Sequence, residues 1–259
     1  MQINAVRSKN IIELNDDLER IVFSLIKPLN GDIVAITSKV VSLCEGTVVL
    51  KSKNISKDTL TMREADWYIP RDKIPGRLAI PTIKNSAVVV AAGVDDFGKN
   101  FVLWPRDPHA SAQSMQKALR KKFKLKNLGV VITDSHSQPL RRGSIGFALS
   151  YFGFKPLRSY LGKRHLTGRR MRMTRANLVD GLAAAAVLTM GEGGEQTPFA
   201  ILRDVPDMEF INKPFVPRGK FEQFEVPIKE DIFQPILDSK IWQKKKHPDP
   251  YRGARLLNR

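Results

Sequence analysis

Two short apolar runs, residues 87–92 and 128–133, each break within three positions onto an aspartate, Asp95 and Asp134. A run of six apolar residues bounded by Gly, Asp and Ser has the length of a buried strand. It is too short for a membrane span or a long helix. Between the two runs, Asp107 and Pro108 supply a cap and a first helical residue, and the pattern predicts a helix from there to about residue 122. Strands separated by helices, with polar residues where the strands stop, restrict the chain to an α/β or α+β arrangement with its chemistry at strand ends.

The other segments fit that frame. Helical spacing of Leu18, Ile21, Val22, Leu25 and Ile26 follows a start signal at Asn15, Asp16 and Asp17. Residues 33–36 read as a buried strand, and Gly46 turns the chain into a second run at 47–50, so a hairpin is expected over 33–50. A short helix is expected near 57–63 in an otherwise polar, Pro-punctuated stretch from 51 to 81. An alanine-rich helix over 176–190 should end at Gly191, ahead of a polar loop at 192–197 and a last strand at 199–202. Beyond Pro206 the chain is broken by prolines and ends in Lys244 to Lys246, Arg252, Arg255 and Arg259, which reads as an appendage with a basic tail.

Charge and cysteine usage narrow the classes further. Against 26 acidic residues stand 43 Lys plus Arg, a net charge of +17, which calls for an anionic partner without saying which. A single cysteine, Cys44, forms no internal disulfide and no cysteine-cluster zinc site, so a reducing, cytoplasmic setting is expected. The first residues hold no apolar core before a small-residue cleavage site, and no apolar run is long enough for a membrane partner.

Three constellations could carry chemistry. Asp95, Asp134, Ser135 and Glu192 offer hard oxygen ligands suited to Mg2+ or Mn2+ bridging phosphates, although strand-end aspartates also cap helices and fix turns. Residues 155–175 hold eight Lys and Arg and no acid; arginine forks among glycines suit phosphate and carboxylate, while a solvated basic face or an RNA-binding stretch would have the same composition. Ser144 lacks both nucleophile-elbow spacing and a histidine partner, and His109, His136, His165 and His247 lack metal-ligand spacing.

Seven phrases in order resemble one family. They are Thr37-Ser-Lys-Val-Val-Ser-Leu-Cys-Glu-Gly46, Ala92-Gly-Val-Asp95, Pro105-Arg-Asp-Pro-His-Ala-Ser-Ala112, Ile132-Thr-Asp-Ser-His-Ser-Gln-Pro-Leu-Arg141, Gly143-Ser-Ile-Gly-Phe-Ala148, Asp180-Gly-Leu-Ala-Ala-Ala-Ala186 and Met190-Gly-Glu192. The chain thereby resembles the coenzyme F420-0:L-glutamate ligases. The resemblance implies an α+β fold of mixed sheets with flanking helices, an intertwined homodimer, a catalytic domain over 1–204 and the appendage over 205–259. It implies a GTP-driven ligase that joins L-glutamate by an amide bond, through an acyl phosphate, to coenzyme F420-0 or a folate. Two Mg2+ or Mn2+ ions would sit on Asp95 and Asp134, and on Ser135 and Glu192. Asp134 and Arg141 would serve catalysis, and Ser38, Lys39, Gly191, Gly193 and Gly194 the nucleotide. Arg158, Arg164 and Arg169 would hold phosphates and carboxylates. Leu43 and Gly98 depart from the family's usual lysine and asparagine, and the family's early Gly-Ile-Pro phrase is missing. A non-catalytic nucleotide- or cofactor-binding homologue and an RNA-binding protein are the alternatives.

Overall fold

Residues 33–36 are apolar without alternation because their strand is buried on both faces. In the computed structural model, which describes residues 1–217 and 223–244, this strand, β2 (Ile33–Thr37), is the centre of a five-stranded sheet. Its neighbours follow the order β1 (Gln2–Val6), β13 (Phe199–Arg203), β2, β9 (Gly129–Ser137) and β10 (Ser144–Phe152). Only β2 and β9 are parallel; the other pairs are antiparallel. Val34 and Ile36 face α1 (Leu18–Leu25) and α4 (Pro108–Phe123), against Val22, Ala112, Met115 and Leu119. Ile33 and Ala35 face α5 (Leu178–Met190), against Val179, Leu182, Ala183 and Ala186. The result is a sheet sandwiched between helices.

Two smaller sheets follow. One runs β3 (Val48–Leu50), β8 (Asn100–Val102), β7 (Asp95–Phe97), and the other β14 (Gln243–Lys244), β4 (Trp67–Tyr68), β5 (Pro81–Lys84), β6 (Ala87–Val90). Helix α3 (Lys57–Glu64) lies where expected, capped by Ser56. Asp107 caps α4 through the Ala110 amide at 2.8 Å. A four-residue helix, α6 (Gln234–Leu237), precedes β14.

Three expectations are corrected. Residues 33–50 are not a hairpin: the chain leaves β2 into a helix, α2 (Ser38–Cys44), that buries Val40, Val41 and Leu43, and β3 pairs with the distant β8. A short apolar run fits a strand or a buried helix equally, and here tertiary packing decides. Asp95 does not end the strand of residues 87–92 but opens β7, after a left-handed turn at 91–93. Asp134 lies inside β9, opposite Phe147 of β10, because the strand continues past its apolar run.

The basic run folds as an arm, β11 (Leu157–Ser159) against β12 (Arg175–Asn177), with a further bridge between Arg164 and Arg170. Residues 205–217 return to the core: the Lys155 amide donates to the Glu209 carbonyl at 2.9 Å, and Met208 and Phe210 pack on the α5 side. His247 and the basic tail beyond Lys244 lie outside the described residues.

One buried ion pair fastens the entry to β2. Asp32, 1% exposed, accepts from Arg203 Nε and Nη2 at 2.9 and 2.7 Å and from the Leu29 amide at 2.7 Å. Asp32→Ala should cost about 3 kcal/mol in urea unfolding, since it strands a buried amide and the guanidinium of Arg203.

Candidate functional site

The parallel register of β2 and β9 ends at Thr37 opposite Thr133. The next residue of each strand, Ser38 and Asp134, therefore emerges at the same sheet end, and the Ser38 side chain hydrogen-bonds the Asp134 carboxylate. Asp134 is partly buried and held on both oxygens: Oδ1 accepts from the Ser135 amide at 2.8 Å, and Oδ2 accepts from the Trp104 indole N–H. Burial pushes the Asp134 carboxyl up to about 6, with the nearby Asp95 charge adding in the same direction; the three hydrogen bonds oppose the rise.

Asp95 arrives from β7 and is exposed. Its Oδ2 lies 2.9 Å from Lys39 Nζ, which α2 carries. Lys39, Asp95, Asp134 and Ser135 are thus delivered by three elements, α2, β7 and β9, and line two adjoining clefts.

The first cleft, about 390 Å3, is closed by the loop after α5. Gly191 ends that helix at φ 84°, and residues 191–198 line the cleft with Ile11, Ile12, Val40 and Leu43. Two backbone bonds pin the loop: the Ser8 amide donates to the Gln196 carbonyl at 2.8 Å, and the Thr37 amide to the Pro198 carbonyl at 3.0 Å. Glu195 Oε2 accepts from the Gly193 amide at 2.8 Å. The second cleft, about 260 Å3, lies on the other side of the carboxylates and is bounded by Lys57, residues 89–91, Trp104, His136, Ser137 and Ser144.

Ser38, Lys39, Gly191, Glu192, Gly193 and Gly194 are accordingly brought to the same two clefts as Asp95, Asp134 and Ser135. The four arginines are not. Arg141 is exposed in the turn between β9 and β10 and lines neither cleft. Arg158 donates to the Pro206 carbonyl and lies 3.6 Å from the Asp207 carboxylate. Arg164 bonds the Gly168 carbonyl at 3.2 Å, and Arg169 is exposed with it on the arm.

The oxygen donors fit a divalent cation. Asp95 and Asp134 are like charges close enough to raise the proton affinity of Asp134, and the Lys39 ammonium already occupies a cation's place beside Asp95. Among the described residues no three His, Cys, Asp or Glu side chains converge as a ready-made metal cluster, so phosphate oxygens would have to complete the coordination shell. Cys44 is not a ligand or nucleophile in waiting: burial, reinforced by nearby carboxylates, pushes its thiol up to about 12.

Trp104, Lys57 and Glu195 had no sequence signal. Trp104 sits in a run that reads only as apolar, and Lys57 and Glu195 stand in polar stretches where charge is the usual surface composition.

Comparison with known proteins adds the following. The F420-0:Gamma-glutamyl ligase family profile matches residues 8–204. The coenzyme F420:L-glutamate ligase of Methanocaldococcus jannaschii is 30% identical over 220 residues, covering 79% of this chain and 85% of that protein. The enzyme of the same name from Methanopyrus kandleri is 29% identical over 234 residues, covering 83% and 91%, and that from Archaeoglobus fulgidus 28% over 218 residues, covering 78% and 87%.

Proposed function

The chain belongs to the F420-0:gamma-glutamyl ligase family, and on that premise we propose that it joins L-glutamate by an amide bond to an acidic cofactor precursor, coenzyme F420-0 or a folate, driven by a GTP-like nucleotide. The observation that carries this reading is the convergence of Lys39, Asp95, Asp134 and Ser135 with the 191–198 loop around two adjoining clefts. Amide formation from a carboxylate needs an activated acyl group and a second reactant beside it, and two clefts sharing one charged wall meet that need.

In the reaction so read, the acceptor carboxylate takes the γ-phosphoryl group and the nucleoside diphosphate leaves. The glutamate amine then displaces phosphate from the acyl carbon and loses a proton, leaving the amide. Mg2+ or Mn2+ bound to Asp95 and Asp134 would supply charge neutralisation for the phosphates. Lys39 would turn from Asp95 to a phosphate oxygen, and the Ser135 hydroxyl and Glu192 carboxylate line the cleft where further oxygens are needed. The glycine-rich loop offers backbone amides, that of Gly193 once the Glu195 carboxylate releases it. No protein nucleophile is required, because positioning and electrostatics supply the catalysis.

Arg158, Arg164 and Arg169 stand on the arm away from both clefts of their own chain. Within this reading they reach a phosphate or carboxylate only if the arm meets a second copy, in the homodimer that the resemblance implies.

Mixing the protein with GTP or ATP, Mn2+, L-glutamate and either F420-0 or a folate should yield nucleoside diphosphate and a product heavier by one glutamate residue in mass spectrometry. Absence of nucleotide turnover with every acceptor would overturn the reading and leave a binding homologue, in which Leu43 in the first cleft is the departure to examine.

A further inference from the structure

The second cleft differs from the first in size, lining and backbone. At about 260 Å3 it is smaller than the ~300–1,000 Å3 that drug-sized ligands occupy. The first, at about 390 Å3, falls within that range. The polar groups around the smaller cleft include two ammonium groups, Lys39 and Lys57, and the hydroxyls of Ser135, Ser137 and Ser144, beside the shared carboxylates Asp95 and Asp134; Ser38, Trp104 and His136 complete the polar lining. With the two carboxylates given to the cation, the ammonium groups and hydroxyls within one small cavity match a small ligand carrying more than one carboxylate, as an acidic amino acid does.

The floor of the cleft is built against backbone preference. Ala91, Ala92 and Gly93 are consecutive left-handed residues, at φ 56°, 50° and 71°. Left-handed alanines are costly, and they persist where surrounding groups over-determine them. Three buried side chains do so here: Thr61 Oγ1 donates to the Ala91 carbonyl at 3.4 Å, Thr82 Oγ1 accepts from the Ala92 amide at 3.0 Å, and Lys84 Nζ reaches the Ala92 carbonyl at 3.4 Å. Lys84 is itself fixed by Glu64 at 2.7 Å. The turn swings the chain from β6 into β7 and so delivers Asp95 to the cleft wall.

Lys57 occupies the rim in a way that leaves it available. It shares Asp96 with Lys51, at 3.1 and 2.9 Å, so that two ammonium groups serve one carboxylate. If Lys57 turns to a ligand carboxylate, Asp96 keeps Lys51.

We propose that this second cleft is the seat of the amino-acid co-substrate, L-glutamate, with Lys57 and the Ser144 hydroxyl binding its carboxylates and its uncharged amine turned toward the wall that the two clefts share. The assignment rests on the ligase reading for the identity of the amino acid. The larger cleft, closed by the 191–198 loop, is then left for the nucleotide.

Equilibrium dialysis of labelled L-glutamate against the full chain, with Mn2+ and nucleotide present, tests it together with steady-state turnover. Lys57→Ala should raise the Kd and the KM for glutamate about tenfold or more, and Ser144→Ala should raise them by a smaller factor, both with the nucleotide KM unchanged. Unchanged glutamate binding in both variants, or a rise confined to the nucleotide KM, overturns the assignment, as does a wild-type chain that binds no glutamate. The two readings fail separately: glutamate binding that depends on Lys57 without any product formation sinks the ligase reading but keeps the site, whereas product formation indifferent to Lys57 and Ser144 does the reverse.

Discussion

Asp134→Asn should lower glutamate-dependent nucleotide turnover on the order of a hundredfold or more and remove Mn2+ binding, while the protein still unfolds cooperatively. The reason is the count of acceptors. Asp134 accepts from the Ser135 amide on one oxygen and from the Trp104 indole on the other, with the Ser38 hydroxyl as a third partner; an asparagine has one acceptor oxygen for the two N–H donors, and only the hydroxyl can reverse its role. One buried N–H is orphaned, at about 1–3 kcal/mol, and the side chain loses the charge that would hold a cation. Relief of repulsion from Asp95 and of the burial cost of the ionised carboxyl offsets part of that loss. The fold should therefore survive a change that ends the chemistry. Retained Mn2+ affinity by dialysis or paramagnetic relaxation would mean that the ion does not bind Asp134.

The same group sets a pH dependence whose sign is opposite to that of an ordinary salt-bridged carboxylate. Its folded pKa, about 6, lies above the ordinary value of 3.8, so between those values the folded chain binds more proton than the unfolded one. Stability without metal should fall as pH rises from about 4 to 6 and then level, by ~2–3 kcal/mol at most. Mn2+ affinity should rise through the same window, because the ion competes with the proton for ionised Asp134.

Much of this site could be read from the sequence because its phrases lie at the ends of strongly patterned elements. The apolar run of β9 announces Asp134 and Ser135, and the alanine-rich α5 with Gly191 announces the loop that closes the first cleft. What could not be read is lateral. Residues 38–44 look like a strand after a turn because two adjacent valines suit either period, and only burial of Val40, Val41 and Leu43 against separate clusters makes the helix. Trp104 is brought to Asp134 from a strand exit 30 residues away, and Lys84 to Glu64 across 20, distances over which local pattern says nothing. The arginines show what composition leaves open: 155–175 suits an anion groove, a solvated face or an RNA-binding stretch alike, and the segment is an antiparallel arm apart from both clefts of its own chain, in which Arg164 and Arg170 bond the arm's own carbonyls. Charge gives the chemistry of a surface and not its location.

Gly93→Ala is expected to be among the most destabilising single-methyl changes at the site, by about 2–5 kcal/mol, the sum of a left-handed backbone penalty of ~1–2 kcal/mol and an overpacking penalty of ~1–3 kcal/mol. A Cβ on Gly93 would fall 2.5 Å from Trp104 Cδ1 and closer still to the indole nitrogen. Trp104 is 3% exposed, with the Lys84 ammonium 5.0 Å from its ring centroid on one side and the Phe147 ring at 6.1 Å, so the indole has little room to give way. Any displacement also withdraws the N–H from Asp134, so loss of stability and loss of cation affinity should appear together. Gly98→Ala separates the two contributions, because Gly98 is also left-handed, at φ 56°, but has nothing within 4 Å of the added carbon. That variant should show the backbone penalty alone and leave Mn2+ binding intact. If the two variants shift the urea midpoint equally, the indole moves freely, and the buried Glu64–Lys84 pair behind it does not hold Asp134 in place.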